Sequence, residues 1–271
     1  MHFISDYISY FFTVLFILFF SAPLTYYYLI TAVTTSGESE ASPQVSATPA
    51  PFISAQIFTN ASDNSSLHET VYVFNDSSGS TPISTATVKV NGTTFSYNAT
   101  NFDYEGSVTI ATNAVISLLV TLTGDAVQYT SSGTQFASLP TISSPASNYN
   151  IDSSSGTTSV TWSGGSPITG AEYLVGVADE ALQTWYYGTT YGSSGASGPT
   201  QASITTSTAS FANSLIPMNA SVYYNLLVGI TNGTFGSTGN VASGIPITNA
   251  LPSSYMMFGG GTLEAIYNHV T

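Results

Sequence analysis

Strict alternation of apolar and polar residues is the feature that most restricts the fold of this sequence. Ile116, Leu118, Val120 and Leu122 occupy every second position of one segment, as expected for a β-strand with one buried face. Comparable segments recur after residue 51, with turn residues about every 8 to 12 positions, a spacing typical of β-sandwiches. No helical period appears there. The sequence therefore predicts an all-β fold with two β-sandwich domains.

One turn is predicted by its residues. Asn91-Gly92 lies between two β-rich segments, Ala86–Val90 and Thr93–Asn98. A type I′ turn needs a positive φ angle at both central positions, which Asn and Gly tolerate best. We therefore predict a tight β-hairpin at this point.

The N-terminal stretch Ile8–Val33 is apolar and carries no charged residue. A helix of about 20 residues spans a bilayer, and this stretch is longer. We predict a hydrophobic helix within residues 1–33 that is either a retained membrane anchor or a cleaved signal peptide. The missing basic n-region and the long apolar run fit an anchor better. Residues 34–51, rich in Ser, Thr and Pro, are predicted to form an extended spacer.

The remaining chain divides into two predicted domains. Residues 52–138 form the first β-sandwich and residues 151–250 the second. A segment with two prolines, residues 139–150, is predicted to be a linker between them. Residues 251–271 are predicted to be a C-terminal tail.

Charged residues are scarce and almost all acidic. They make up 6% of the 271 residues, against about 25% in an average globular protein. Lys89 is the only basic residue, and the formal net charge is −13. Nucleic acid is therefore excluded as a partner, since phosphate binding needs clusters of Lys and Arg. A surface of hydroxyl and amide groups suits an acidic environment outside the cell. Alternatively, glycans keep the surface of the protein soluble.

The second domain carries a family resemblance. Val160-Thr161-Trp162, Ala171–Val177 and Val222–Gly229 resemble the strands of fibronectin type III or immunoglobulin-like domains, with the best match over Ser159–Ile247. In that family the tryptophan packs in the core and a tyrosine near the start of a late strand makes a corner hydrogen bond. The resemblance implies core positions for Trp162, Tyr173 and Tyr223, with Tyr224 as the other candidate for the corner.

The first domain is similar to the immunoglobulin-like repeats of microbial surface proteins. The likeness lies in Ala86–Gly92 and the following Tyr104-Glu-Gly-Ser-Val108. Both resemblances imply an immunoglobulin-like or fibronectin type III-like sandwich on the outside of a cell or particle.

Residues for catalysis are few. The chain has no Cys and three widely separated His, and no hydrolase, Walker or dinucleotide-binding motif is present. Asn101–Gly106 resembles the start of a calcium loop, but Thr112 stands where the bidentate acid is expected. We predict no enzyme activity, no cofactor and no metal site.

Glycosylation sequons are the more informative motif. An Asn-X-Ser/Thr pattern without Pro indicates a surface loop in a secreted protein. Seven candidates occur, five of them between residues 60 and 98: Asn60, Asn64, Asn75, Asn91, Asn98, Asn219 and Asn232. We therefore predict a glycosylated protein outside the cytoplasm.

Two functions are consistent with these features. The first is a structural subunit of a surface layer, filament or virion surface, tethered to a membrane through Ile8–Val33 and self-associating through β-edges. The alternative is an adhesin or receptor-binding module that uses exposed loops such as Tyr191–Gln201. Both place the protein at a cell or virion surface, anchored or secreted.

Overall fold

The structure is a computed structural model. It describes residues 26–28, 31, 33–34, 37–43, 45–47, 49–151, 155–165, 171–179, 185–192, 195–197, 203–204, 207–215, 222–234 and 243–268. Among these residues the secondary structure is β-strand apart from one 3₁₀ turn, Asn213–Leu215. The prediction of an all-β fold is confirmed. No helix in the described ranges is long and apolar enough to cross a membrane.

Most of the predicted N-terminal helix lies outside the described residues. Its last part is described and is not helical: Tyr26–Tyr28 form strand β1. The predicted spacer also contains short strands, β2 (Val33–Thr34), β3 (Gly37–Glu38) and β4 (Val45–Ala47). Strand β1 pairs with β4 and β2 pairs with β3, both in antiparallel orientation.

The first block contains seven strands in one continuous sheet. These are β5 (Phe52–Asn60), β6 (Ser66–Phe74), β7 (Thr87–Val90), β8 (Thr93–Asn98), β9 (Asp103–Glu105), β10 (Val115–Thr121) and β11 (Gln128–Thr134). Across the sheet the strands lie in the order β11-β10-β7-β8-β9-β6-β5. Strand β10 has the alternating burial that its sequence predicts. Strand β5 is buried on both faces, as expected of a central strand.

The predicted hairpin is confirmed. Strands β7 and β8 pair in antiparallel register around Asn91-Gly92, whose φ angles are 48° and 82°. Asn91 also fixes the hairpin to β10. Its Oδ1 accepts hydrogen bonds from the Ser117 backbone N (2.7 Å) and Oγ (3.2 Å), and its Nδ2 donates to the Val115 carbonyl at 3.2 Å.

The second block begins earlier than predicted. Residues 139–150 are not a free linker, since β12 (Thr141–Ser144) and the start of β13 (Tyr149–Ile151) lie there. Further along the chain come β14 (Thr157–Ser163), β15 (Glu172–Asp179), β16 (Trp185–Gly192), β17 (Gly195–Ser197), β18 (Ser203–Ile204), β19 (Thr208–Ala212) and β20 (Val222–Thr231).

The strand order of the second block is that of a variable-type immunoglobulin sandwich. One sheet has the order β12-β14-β19-β18, which corresponds to strands A, B, E and D. The other contains β20-β15-β16-β17, corresponding to F, C, C′ and C″. The G position is taken by β22 (Tyr255–Asn268), antiparallel to β20. The resemblance seen in the sequence is therefore reproduced in the topology.

Strand β22 corrects the prediction of a C-terminal tail. Its first part, Tyr255–Gly261, pairs in parallel with β5 of the first block. Its other edge pairs first with β21 (Ile245–Pro246) and then with β20. Near its end it also pairs in parallel with β13. The strand therefore belongs to both blocks, and residues 151–250 alone do not complete the second sandwich.

Residues 245–249 close the first block. Thr248 donates its backbone N–H to the Thr130 carbonyl at 2.8 Å, and Asn249 Nδ2 donates to the Gln128 carbonyl at 3.0 Å. These bonds cover the edge of β11, and β21 continues the path to β22. The first block thus has little unpaired edge within the described residues, which is one way that β-proteins avoid edge-to-edge association.

Candidate functional site

A polar cluster lies on the outer face of β8 and β9. Glu105 accepts hydrogen bonds from Asn101 Nδ2 at 2.9 Å and Asn98 Nδ2 at 3.1 Å. These amide donors lower the pKa of Glu105 because they stabilise its charged form. The six-residue segment Asn101–Gly106, which resembles a calcium loop in sequence, is therefore a turn followed by strand β9.

Asp103 lies two positions from Glu105 on the same face of β9. Its side chain is 3% exposed, and its Oδ1 has no hydrogen-bond partner. Burial first, and then the charge and hydrogen bond of Glu105, raise the pKa of Asp103 to about 6. Asp103 therefore keeps its proton to a higher pH than Glu105 does.

Glu69 is a second buried carboxyl group, on β6. Its Oε2 accepts the Val108 backbone N–H at 2.7 Å, and its Oε1 has no partner. Burial raises the pKa of Glu69 to about 7. The register pairs Thr70 with Glu105, so alternation places Glu69 on the opposite face of the sheet from the β9 cluster. The carboxyl groups do not converge on one substrate position.

The described part of the chain contains no group of three or more His, Asp or Glu placed to hold a metal. One open cavity of about 610 Å³ lies beside β11. Its walls carry no charged side chain: they are formed by Ala50, Ala126, Val127, Gln128, Tyr129 and Asn249. This lining offers amide groups and a tyrosine ring, but no acid or base for catalysis.

The predicted sequons differ in how their asparagines are used. Asn60 and Asn64 are half-exposed in the turn between β5 and β6, and Asn60 Oδ1 accepts the backbone N–H of Ser62. Asn75 lies after β6, where its Oδ1 is buried without a partner. Asn219 lies outside the described residues.

Three sequon asparagines have structural roles. Asn91 fixes the hairpin, Asn98 donates its Nδ2 to Glu105, and Asn232 Oδ1 accepts the Phe258 backbone N–H at 2.6 Å. Glycan attachment at Asn91 or Asn98 replaces a hydrogen of an Nδ2 that donates a hydrogen bond. Asn60 and Asn64 are therefore the better acceptors. Occupancy of all seven sites stays a prediction.

The core positions implied by the resemblance divide into two groups. Trp162 and Tyr173 are 3% and 2% exposed, with ring centroids 5.9 Å apart, and the Tyr173 hydroxyl donates to the Gly165 carbonyl. Tyr223 is 47% exposed, so its predicted core position is wrong. Tyr224 is 2% exposed, because the alternation of β20 turns this residue inward with Leu226 and Val228.

Sequence reasoning missed the junction where β5, β22 and β20 meet. Gly259, Gly260 and Gly261 lie at this junction, where a Cβ on Gly260 would be 2.2 Å from the Thr59 carbonyl oxygen. Buried Gln135 donates its Nε2 to Thr59 Oγ1 at 3.0 Å and to the Gly259 carbonyl at 2.8 Å. The apolar run Tyr255–Phe258 before the glycines is the signal that could have located the strand.

Comparison with known proteins gives distant structural likeness only. No family model matches the chain, and no curated protein matches it. Nineteen chains of solved structures match, and three of them show the level of similarity. The first, from work on host cell surface retention of a 1.5-MDa bacterial ice-binding adhesin, is 13% identical, with a TM-score of 0.22 and coverage of 90% of this chain and 74% of that one.

The second structure is the chicken CNTN1 FN1–FN3 domains, with 14% identity, a TM-score of 0.21 and coverage of 81% and 66%. The third is the three N-terminal domains of the bacteriophage RB49 Highly Immunogenic Outer Capsid protein, with 9% identity, a TM-score of 0.25 and coverage of 92% and 90%. The fold assignment rests on the strand order of the second block and not on these structures.

Proposed function

We propose that the protein is a structural subunit of an extracellular assembly on a cell or virion surface, held to a membrane by Ile8–Val33. The observation that carries the proposal is the sharing of β22 between both blocks. It makes the blocks one continuous β-body with one continuous core. The chain enters this body at Phe52, at one end of β5, and the second block lies beyond the other end. A body of this form is suited to projection from a surface.

The second block provides the edges for self-association. Strands β12 and β18 are the outer strands of the four-stranded sheet. The residues of β12 are uncharged and mostly exposed, so this edge lacks the charged side chains that discourage strand addition. We expect contacts between subunits at this sheet and not at the first block, whose β11 edge is covered by residues 246–249.

The surface chemistry supports a place outside the cytoplasm. Only 6% of the residues are charged, so hydroxyl and amide groups, with glycans at acceptors such as Asn60 and Asn64, make up most of the polar surface in this proposal. Buried carboxyl groups that keep their protons in weak acid fit an acidic exterior. The proposal includes no catalytic role.

Microscopy and labelling test the proposal. Negative-stain images of the purified protein should show ordered polymers or lattices, and antibodies should label intact cells or particles. N-terminal sequencing of the mature chain should find residues 8–33 retained. Dispersed monomers at all concentrations would contradict the subunit role, and labelling only after permeabilisation would contradict the location.

A binding tip is the second candidate function. Tyr149 and Tyr223 are 46% and 47% exposed. They flank β22 at residues 266 and 267, at the end of the molecule opposite to Phe52. Exposed tyrosines at a distal end are typical of contact surfaces. Under this alternative, a Y149A/Y223A double variant should lose attachment to host cells while its thermal unfolding stays unchanged.

A further inference from the structure

Strand β5 is the first long strand among the residues that the structure describes. It lies between β6, its antiparallel neighbour, and β22, its parallel neighbour. The pairing with β22 extends from Ser54–Tyr255 to Asn60–Gly261. Because the two strands are parallel, Phe52 and Tyr255 lie at the same end, and β22 continues from the other end into the second block.

Further hydrogen bonds reinforce both ends of the β5–β22 pair. At the entry end, Leu251 donates its backbone N–H to the Pro51 carbonyl at 2.9 Å, and Ile53 donates to Ser254 Oγ at 3.0 Å. At the far end, Ala61 donates its backbone N–H to the Gly261 carbonyl at 2.7 Å. These bonds are additional to the regular ladder, so the two strands are held by more hydrogen bonds than their pairing alone provides.

The junction at the far end is closely packed. Gly260 allows the backbone of β22 to approach β5, since any Cβ there would collide with the Thr59 carbonyl oxygen. Gln135 joins both strands through Thr59 and Gly259, and its side chain is buried at 2% exposure. Water therefore has little access to these bonds, and a buried polar group costs free energy when it loses its partner.

We propose that β5, held between β6 and β22, is a shear clamp that carries pulling force from the N-terminal tether into the second block. A pull on the chain before Phe52, resisted at the second block, displaces β5 along its own axis. The hydrogen bonds to both neighbours cross that axis, so they bear the load together and not one after another. The source of the pulling force rests on the proposed tethered function, but the clamp itself can be tested without a membrane or a partner.

Force spectroscopy on the full chain tests the clamp. The chain has no Cys, so two introduced cysteines give unique attachment points. A50C with A212C pulls the entry of β5 against the far end of β19 in the second block, which loads β5 in shear. A50C with S253C pulls apart the adjacent starts of β5 and β22, which peels them. We expect a severalfold higher rupture force for the first pair, and equal forces for both pairs would overturn the proposal.

A matched pair of serine variants provides the second test. Ser254 is 1% exposed and accepts the Ile53 N–H, whereas its neighbour Ser253 is exposed. In the A50C/A212C background, S254A should lower the rupture force while S253A leaves it unchanged. Equal forces in these variants would also overturn the clamp. The microscopy and labelling described above would then still test the proposed surface role independently.

Discussion

At the scale of single residues, the buried carboxyl groups Glu69 and Asp103 make the stability of the fold depend on pH. Burial raises the pKa of Glu69 from 4.5 to about 7, so the folded chain binds more protons than the unfolded chain between these values. The stabilisation from this group is complete below pH 4.5 and is lost as the pH rises to about 7. Asp103 acts in the same direction between 3.8 and about 6. Glu105, whose pKa is lowered, acts in the opposite direction at more acidic pH, and His68, whose pKa burial lowers from 6.5, opposes the loss below that value.

We expect the wild-type chain to lose on the order of 1–2 kcal/mol of unfolding free energy between about pH 4.5 and about pH 7.5. Glu69→Gln should reduce this loss, because the amide is neutral at every pH, and the remainder should come from Asp103. Urea denaturation at several pH values measures the effect. Glu40→Gln, at an exposed position, is the control and should follow the wild type. An E69Q profile as steep as that of the wild type would contradict the assignment.

The three glycines of β22 allow a second prediction at this scale. Gly260→Ala places a methyl group 2.2 Å from the Thr59 carbonyl oxygen and should destabilise the fold by about 1–3 kcal/mol, as overpacking does. Gly229→Ala, on the neighbouring strand, meets its nearest atom at 3.4 Å and is the matched control. Thermal unfolding should separate the two variants. A G260A melting temperature equal to that of G229A would be inconsistent with close packing of β5 on β22.

Single residues also show where sequence reasoning stops. Trp162 and Tyr173 are buried as the family resemblance implies, each on the inward side of its strand. Tyr223 and Tyr224 are adjacent tyrosines, and only the position of β20 between β15 and β22 decides which one faces the core. A shift of one residue along a strand exchanges its two faces, so the family spacing did not identify the buried tyrosine.

At the scale of elements, the β7–β8 hairpin is the part that the sequence predicts best. Its information is local: two adjacent residues with positive φ and the alternating strands on either side. Asn91 adds a contact that is not local, since its side chain bonds β10 at Val115 and Ser117. This second role could not be predicted, because it depends on which strand lies beside the turn.

Asn91→Ala should therefore lower the free energy of unfolding by more than the backbone strain in the turn alone would. We expect a loss of about 1–2 kcal/mol from the broken hydrogen bonds to β10, in addition to the strain of a positive φ. Asn148 has a similar φ of 61° and is also exposed, so Asn148→Ala measures the strain by itself. Denaturation of both variants gives the difference. Equal losses would show that the Asn91 side chain adds nothing beyond the turn.

Strand β22 is the element that is hardest to predict from the sequence. Its apolar run covers Tyr255–Phe258 and is then interrupted by three glycines, which normally weaken a strand. Here they are required because three strands approach one another closely at this point. Its partners β5 and β20 are distant in sequence, and a parallel pairing with β5 leaves no turn signal to detect.

At the scale of the whole molecule, the sequence predicts two sandwiches, whereas the structure joins them. The chain completes most of the first block, builds the second, returns through β21 and crosses both in β22. Buried residues of both blocks form one cluster that extends from Val88 and Leu118 to Trp162 and Leu226. Neither block is complete without the residues after 243, so their stabilities should be coupled.

This coupling predicts a single cooperative unfolding transition, with calorimetric and van 't Hoff enthalpies that agree. A matched pair of core substitutions tests it: Leu118→Ala in the first block and Leu226→Ala in the second, both at positions no more than 1% exposed. Each should cost about 2–5 kcal/mol and lower the same transition as a whole. Independent blocks would instead give two transitions, each variant moving only one of them, because the loss in one sandwich would not reach the other through β22.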